Sequence, residues 1–336
     1  MGTGTAVVQE DAPGTWELSS GAAASTVLVT GGTGYLGSLV VQRLAEQGAE
    51  VVALDVRPPR QPVPGVEYVI GDLRSTDLPA VLDEHGVGAV VHLAAIVEPP
   101  KGMTEAELED IEVGGTQRVV DACVAAGVQH LTVTSSGAAY GYYARNDGRA
   151  LTEDMPVTGS AQFAYSRHKA QVEALLARAR RQHPQLGQLV LRPGTILGAH
   201  TDNQITALFT GRVVMTLRET DGPFNFVWDA DVADIIVSGV TRRRTGIYNV
   251  AGEGVMTMRD IAKAEGSRVV AIPAEWVRTG LGVMRRFGVG RYGPEQVEFL
   301  LHRPVLDNTR LRRDFPGLPS KSTREVYAIF QQGRRG

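Results

Sequence analysis

The chain of 336 residues has a single cysteine, Cys123, so no internal disulfide can staple it and nothing implies an oxidising compartment. It also lacks the Cys/His spacings of a zinc site, and no bound metal is expected. No apolar run approaches the ~20 residues that span a bilayer. Residues 1–24 carry Glu10, Asp11 and Glu17 rather than a basic start followed by an apolar stretch, so a secretory leader is not expected. A cytoplasmic protein without a membrane partner is the expectation, its first 24 residues a Gly/Ala/Thr/Ser-rich flexible arm. Aromatics amount to only 6% and charged residues to 21%, yet 43% hydrophobic residues with 39 Gly and 17 Pro make an ordinary globular composition. Disorder, collagen and small disulfide scaffolds are excluded.

Net charge is −3, unevenly spread. Residues 241–336 hold 18 basic against 9 acidic side chains, a net of +9, leaving 16 against 28, a net of −12, for residues 1–240. A solvated basic surface beside an acidic lobe explains this as well as an anionic substrate does. Arg242, Arg243 and Arg244 close an apolar helical pattern, where cations favour the helix C-terminus, so a nucleic-acid partner is not expected.

From Thr26 the chain reads TVLVTGGTGYLGSLVVQRLAEQGAEVVALD: strand, Gly-rich turn, amphipathic helix, Gly break, second strand ending in an acid. Further strands are expected at 66–72, 88–95, 130–136, 188–194 and 246–252. Helices are expected near 104–126, 160–182 and 231–243. Continuous apolar strands alternating with helices predict a doubly wound parallel α/β sheet with a smaller C-terminal substrate lobe. The expected division is a dinucleotide-binding domain over 25–195, joined in part by 224–252, and a lobe mainly from 196–330.

Three constellations carry chemistry. Gly31, Gly34 and Gly37 sit between a strand and a helix, where glycine admits a tight turn and a pyrophosphate can reach the helix N-terminus. Asp55 ends the next strand 24 residues after Gly31, close to the ~20 expected of a ribose-binding acid. Together they predict a dinucleotide site. A carboxylate there accepts ribose hydroxyls and repels a 2′-phosphate, favouring NAD, whereas Arg57 would suit NADP. Second, Tyr165 and Lys169 lie four apart on one expected helix face, where an ammonium can lower a phenol pKa from ~10 and make it a usable acid/base. With nine Tyr and four Lys in the chain, roughly 0.1 such pairs are expected by chance. Third, Ser135 and Ser136 end a strand at the carboxyl edge, where open α/β sheets bind ligands.

TGGTGYLG (30–37), GDL (71–73), VVHLAA (90–95), TSSGAAYG (134–141), YSRHK (165–169) and LRPGTILG (191–198) resemble the extended short-chain dehydrogenase/reductase family, also called the NAD-dependent epimerase/dehydratase family. FNFVWDADVADII (224–236) and GIYNVAG (246–252) resemble its substrate-lobe landmarks. The resemblance covers about residues 26–260. It implies that Ser136 orients substrate, Tyr165 is the acid/base, and Lys169 binds the nicotinamide ribose and tunes Tyr165. It further implies that Thr33, Tyr35 and Leu36 join the glycine loop in cofactor binding, that Asp72 and Leu73 lie at the adenine, Ala94 along the cofactor, and Pro193 to Thr195 near the nicotinamide. A homodimer through the helices around 104–126 and 160–182 is implied as well. The chain departs from the family at Glu112-Val113-Gly114-Gly115-Thr116, where members often carry Asn-Val-x-Gly-Thr, and at Thr195, where nucleotide-sugar epimerases commonly have Asn. Gly137-Ala138-Ala139 stands where sugar-nucleotide dehydratases place an acid, making dehydration the least expected reaction.

The leading expectation is an NAD-dependent dehydrogenase or reductase acting on a small secondary alcohol or ketone. The alternative is a redox-neutral nucleotide-sugar epimerase. A non-catalytic dinucleotide sensor is a third possibility, disfavoured by the intact Ser136, Tyr165 and Lys169. Cys123 is expected to be a buried small residue and Asp229 a helix cap. Residues 253–330, with Trp276, Met284, Phe287 and several Arg, are expected to help shape the substrate pocket.

Overall fold

The apolar run Thr26–Thr30 forms strand β1, every residue of it buried, because helices cover both faces of the sheet it joins. The computed structural model describes residues 26–335 except 101, 210 and 288–292. The segment read as an arm lies outside the described residues. Beside β1, the sheet contains β2 (Val51–Asp55), β3 (Glu67–Ile70), β4 (Val87–His92), β5 (His130–Thr134), β6 (Gly187–Pro193) and β7 (Gly246–Val250). Their order is β3-β2-β1-β4-β5-β6-β7, and all are parallel. The chain winds outward from β1 in one direction and from β4 in the other, so a switch point opens between them at the carboxyl edge.

Helix α1 (Tyr35–Glu46) follows the glycine loop and buries Gly37, Val40, Val41 and Leu44, the i, i+3, i+4, i+7 stripe of an amphipathic helix. Gly48, at φ 77, turns the chain into the left-handed region just past its end. With α6 (Asp229–Thr241) it covers one face of the sheet, packing Val40 and Leu44 against Val232 and Ile236. The other face is covered by α2 (Leu78–Glu84), α4 (Gly115–Ala125) and α5 (Ala164–Gln182), whose Leu82, Val119, Val172 and Leu176 share a core with Leu28, Val90 and Leu131. Cys123 is in that core, and burial pushes its thiol up to about 12, the behaviour of an inert packing residue.

Two details differ from the sequence reading. The helix expected over 104–126 is α3 (Glu105–Glu109), a π-helical turn at Asp110–Gly114, then α4. Asp229 does not cap α6, which begins at Asp229 itself and has no side-chain cap. Its acids serve tertiary contacts instead: Asp229 accepts the Tyr35 hydroxyl, Asp231 accepts Ser320 Oγ at 2.7 Å, and Asp234 pairs with Arg43 at 2.5 Å. Such cross-chain bonds have no local spacing by which to be read.

Over the carboxyl edge lies a second body of short parallel strand pairs, Thr195–Leu197 with Phe226–Trp228 and Val213–Leu217 with Arg268–Ile272. It also contains α7 (Met258–Glu265), α8 (Ala274–Arg286), α9 (Gln296–Leu301) and α11 (Thr323–Arg335), whereas α10 (Thr309–Asp314) returns to the main sheet and buries Leu311 in the α1/α6 core beside Tyr248 and Val250. Phe209, Phe224, Phe226, Tyr327 and Phe330 form its aromatic core. No helix among the described residues is long and apolar enough to cross a membrane.

His92, at the end of β4, lies buried between Thr30 Oγ1 at 2.7 Å and Thr116 Oγ1 at 3.2 Å. Burial foremost, then the Lys169 charge, lowers its pKa to about 4. The folded value is depressed from the ordinary 6.5, so its contribution to stability is complete above pH 6.5 and is lost as pH falls toward 4. Denaturant titrations at pH 7 and pH 5 should show about 2 kcal/mol lost to this residue at the lower pH. His92→Gln should remove that part of the pH dependence; an unchanged slope would exclude His92 as its source.

Candidate active site

The carboxyl ends of β1, β4, β5 and β6 bring the candidate residues to one edge. After β1 the chain turns at Gly31, whose φ is 70 and where an added Cβ would lie 2.7 Å from the backbone nitrogen of Ala94. A Cβ on Gly37 would collide with the carbonyl oxygen of Gly31. Only glycine lets loop, helix and the end of β4 approach this closely. Gly34 precedes α1 without a side-chain cap, leaving the first N–H groups and the positive end of the helix dipole for an anion. The cradle therefore fits a dinucleotide pyrophosphate.

Asp55 stands beside this loop, one carboxylate oxygen accepting the Thr33 N–H at 3.1 Å and the other the Arg57 N–H at 3.3 Å. Arg57 thus helps orient Asp55 through its backbone. The Asp72 carboxylate is gripped by Arg74 at 2.6 Å, which holds it below the usual carboxylate range. Leu73 packs its side chain into the core with Leu78 and Leu82. Leu36 lies partly buried against the α1/α6 core. Tyr35 carries its hydroxyl across to Asp229 and to Thr201 Oγ1, the latter at 3.0 Å, tying the glycine loop to the segment beyond β6. Burial, followed by the Asp229 bond, raises its phenol pKa, so it stays a neutral donor. Gly194 donates to Val250 and Thr195 to Asn225 at 2.9 and 3.0 Å, fixing the turn after Pro193.

Strand β5 delivers Ser135 and Ser136 with different tasks. Ser135 Oγ donates to Glu173 at 2.6 Å, inside a buried pair that Glu173 forms with Arg192 at 2.5 Å. Ser136 caps the short 3-10 turn Gly137–Tyr140 by accepting the Ala138 N–H at 3.1 Å. Tyr165 occupies the first turn of α5, and Lys169, one turn on, points its Nζ at the Tyr165 ring 5.6 Å from the centroid. Lys169 is buried and donates to Glu112 Oε2 at 3.0 Å, while Glu112 Oε1 accepts the Ile96 N–H at 2.5 Å. Burial alone would lower the lysine pKa, but Glu112, with Tyr165 adding to it, raises it on balance. The carboxylate therefore favours the charged ammonium and holds it in place.

Several residues packed near the candidate site escaped the sequence reading. Arg303 is buried with its guanidinium 3.4 Å from the Phe224 centroid and 4.5 Å from that of Phe299. Its Nη1 donates to the Gly222 and Pro223 carbonyls at 3.2 Å, and its Nε has no hydrogen-bond partner among the described residues. Burial brings its pKa down to about 9. Phe299 also stacks with Phe163 and meets Tyr142 edge-on at 5.3 Å, and Tyr142 is close enough to Tyr165 to feel its charge. An arginine next to a proline was the available signal, without any spacing to interpret it. By contrast Trp276 and Phe287, expected to help shape the pocket, are 72% and 74% exposed. No group of acidic, His and Cys side chains among the described residues could hold a metal ion.

The chain resembles known proteins along nearly its whole length. An uncharacterised protein of Mycobacterium tuberculosis is 24% identical over 315 residues, 92% of this chain and 84% of that one. A UDP-glucose 4-epimerase of Neisseria meningitidis is 30% identical over 192 residues, 53% of this chain and 55% of that one. Among solved structures, the UDP-glucose 4-epimerase of Thermus thermophilus in complex with NAD superposes with a TM-score of 0.68 at 25% identity, covering 91% of this chain and 99% of that one. The sequence model of the NAD dependent epimerase/dehydratase family matches residues 27–251, a span that runs from β1 through Ser136, Tyr165 and Lys169 to the last strand of the sheet. The chain belongs to the NAD-dependent epimerase/dehydratase family.

Proposed function

We propose that this enzyme is an NAD-dependent oxidoreductase that transfers hydride at a secondary alcohol or ketone carbon of a small molecule, with Tyr165 as acid/base. The observation that carries the reading is the pairing of Tyr165 with a buried Lys169 held by Glu112 on one face of α5, with the turn capped by Ser136 tied to the same helix through Ser166 Oγ and the Ala138 carbonyl. When bound, NAD supplies the hydride acceptor, or in its reduced form the donor. The loop from Gly31 to Gly37 and the start of α1 hold the pyrophosphate, and Asp55 takes the adenosine ribose. Asp72 and Leu73 flank the adenine, and Lys169 takes the nicotinamide ribose. The Asp55 carboxylate supports NAD over NADP.

Ser136 donates to the substrate oxygen and holds it against the Tyr165 hydroxyl. In oxidation the phenolate accepts the alcohol proton; in reduction the phenol returns it. Lys169 steadies the phenolate, and Glu112 and Ile96 keep Lys169 aimed.

A redox-neutral epimerase of nucleotide sugars is the second reading. It is supported by Arg303, a buried cation awaiting an anionic group, and by the UDP-sugar enzymes among the similar proteins. Denaturing the freshly purified protein and quantifying released nicotinamide nucleotide by chromatography separates the two. The expected result is little retained cofactor together with reversible binding of added NAD. Near-stoichiometric NAD would move the assignment to the epimerase, which regenerates its cofactor every cycle. Failure to bind NAD or NADP would overturn both.

A further inference from the structure

Glu112 is an anion inside the wall of a site whose chemistry depends on a cation. The π-helical turn at Asp110–Gly114 adds a residue between α3 and α4 and turns Glu112 inward. There its two oxygens are divided between the Lys169 ammonium at 3.0 Å and the Ile96 N–H at 2.5 Å. Only 3% of its side chain and 6% of that of Lys169 are exposed, so water and salt screen the pair little.

We propose that Glu112 is a positioning residue that sets the proton affinity of Tyr165: by balancing the Lys169 charge it makes Tyr165 hold its proton to a higher pH than an uncompensated lysine would allow. This rests on the reading of Tyr165 as acid/base. The ammonium favours the phenolate through its field at the ring, 5.6 Å away, and a carboxylate in direct contact with that ammonium opposes the effect.

Other charges around the pair are already accounted for. On the far side of the turn, His92 meets Glu112 only through Thr116, which donates to the Glu112 carbonyl at 2.7 Å, and burial keeps that imidazole neutral near pH 7. Further along α5, Glu173 is neutralised by Arg192. At the outer edge Arg167 pairs with Glu105, and Glu109 accepts from Gln171 at 2.8 Å. His168, between Tyr165 and Lys169, has its pKa lowered by burial. Across from Tyr165 stands Tyr142, kept protonated by burial, with Arg303 behind it. Among the described residues, Glu112 is the one carboxylate in contact with Lys169.

The test titrates Tyr165 directly in the cofactor-free protein, from the tyrosinate absorbance that vanishes on Tyr165→Phe, measured in the wild-type and Glu112→Gln backgrounds. The forming phenolate itself favours the protonated Lys169, so with the ammonium retained and its carboxylate removed Tyr165 should titrate about one pH unit lower in Glu112→Gln, and the acid limb of the kcat/KM profile should move down with it. Titration at the same pH in both backgrounds would overturn the proposal. A shifted titration with an unmoved kinetic limb would uphold the role of Glu112 and overturn that of Tyr165 as acid/base. If Glu112→Gln does not fold, the smaller Glu112→Asn carries the same measurement. Glu112→Asp, which keeps the charge, should titrate with the wild type; a shift as large as that of Gln would show that charge is not the cause.

Discussion

Tyr165→Phe should lower kcat by about two to four orders of magnitude while leaving NAD affinity within a few-fold of wild type. The substitution removes one hydroxyl from a ring already in place on the first turn of α5. The Lys169–Glu112 pair does not depend on that hydroxyl, nor does the glycine loop. What is lost is the group proposed to carry the proton to or from the substrate oxygen, an interaction made in the transition state rather than on binding. Cofactor affinity by fluorescence or calorimetry and turnover on the substrate class selected by the released-cofactor experiment would separate the two effects. Near-normal turnover would take Tyr165 out of the mechanism. Loss of NAD binding in step with turnover would make it a structural residue of the cofactor site.

The sequence made the frame of this site legible because the frame is local. A glycine triplet between strand and helix, an acid at the next strand end, and Tyr and Lys one helical turn apart are fixed offsets, and backbone geometry converts offsets into position. Ser136, Tyr165 and Lys169 were grouped through the resemblance of their motifs to the family, and the parallel sheet follows from strands too uniformly apolar to face water. What escaped notice depends on which segments meet in space. Glu112 could be seen to replace an Asn, but its engagement of Lys169, 57 residues away, arises from a π-helical turn that no residue pattern announces. Arg192 in β6 and Glu173 in α5 carry no local pattern that announces the buried pair they form. Asp229 carried a cap signal and was drawn instead to Tyr35, because the loop and α6 cross at the same edge. Trp276 on α8 and Phe287 just past its end are apolar yet largely exposed, since hydrophobicity alone gives a side chain no direction.

Beneath the catalytic edge, the Arg192–Glu173 pair is expected to be the costliest polar interaction to break. Only 4% and 7% of the two side chains are exposed, and Arg192 meets both carboxylate oxygens at 2.5 to 3.0 Å. It also donates to the Tyr140 hydroxyl at 2.7 Å and to the Glu153 carbonyl at 3.1 Å, while Glu173 accepts Ser135 Oγ. Arg192→Met would leave a carboxylate in the core with a single hydroxyl donor, and should cost about 3–5 kcal/mol, roughly 5–15 °C in Tm for a chain of this size. Glu173→Leu should cost a similar amount by stranding the guanidinium. The double variant, which buries neither charge, should be more stable than either single one, since most of each penalty is the unpaired partner rather than the lost bond. Urea denaturation of the three proteins decides this: single variants costing under about 1 kcal/mol, or a double variant equal to their sum, would rule the pair out as the anchor of this edge. Because Ser135 is held by Glu173 and is bonded directly to Ser136 in the chain, the double variant should regain stability without regaining the wild-type placement of Ser136, the residue proposed to orient substrate. Its kcat would then stay low at a Tm near wild type, which separates the pair's share in folding from its share in placing Ser136.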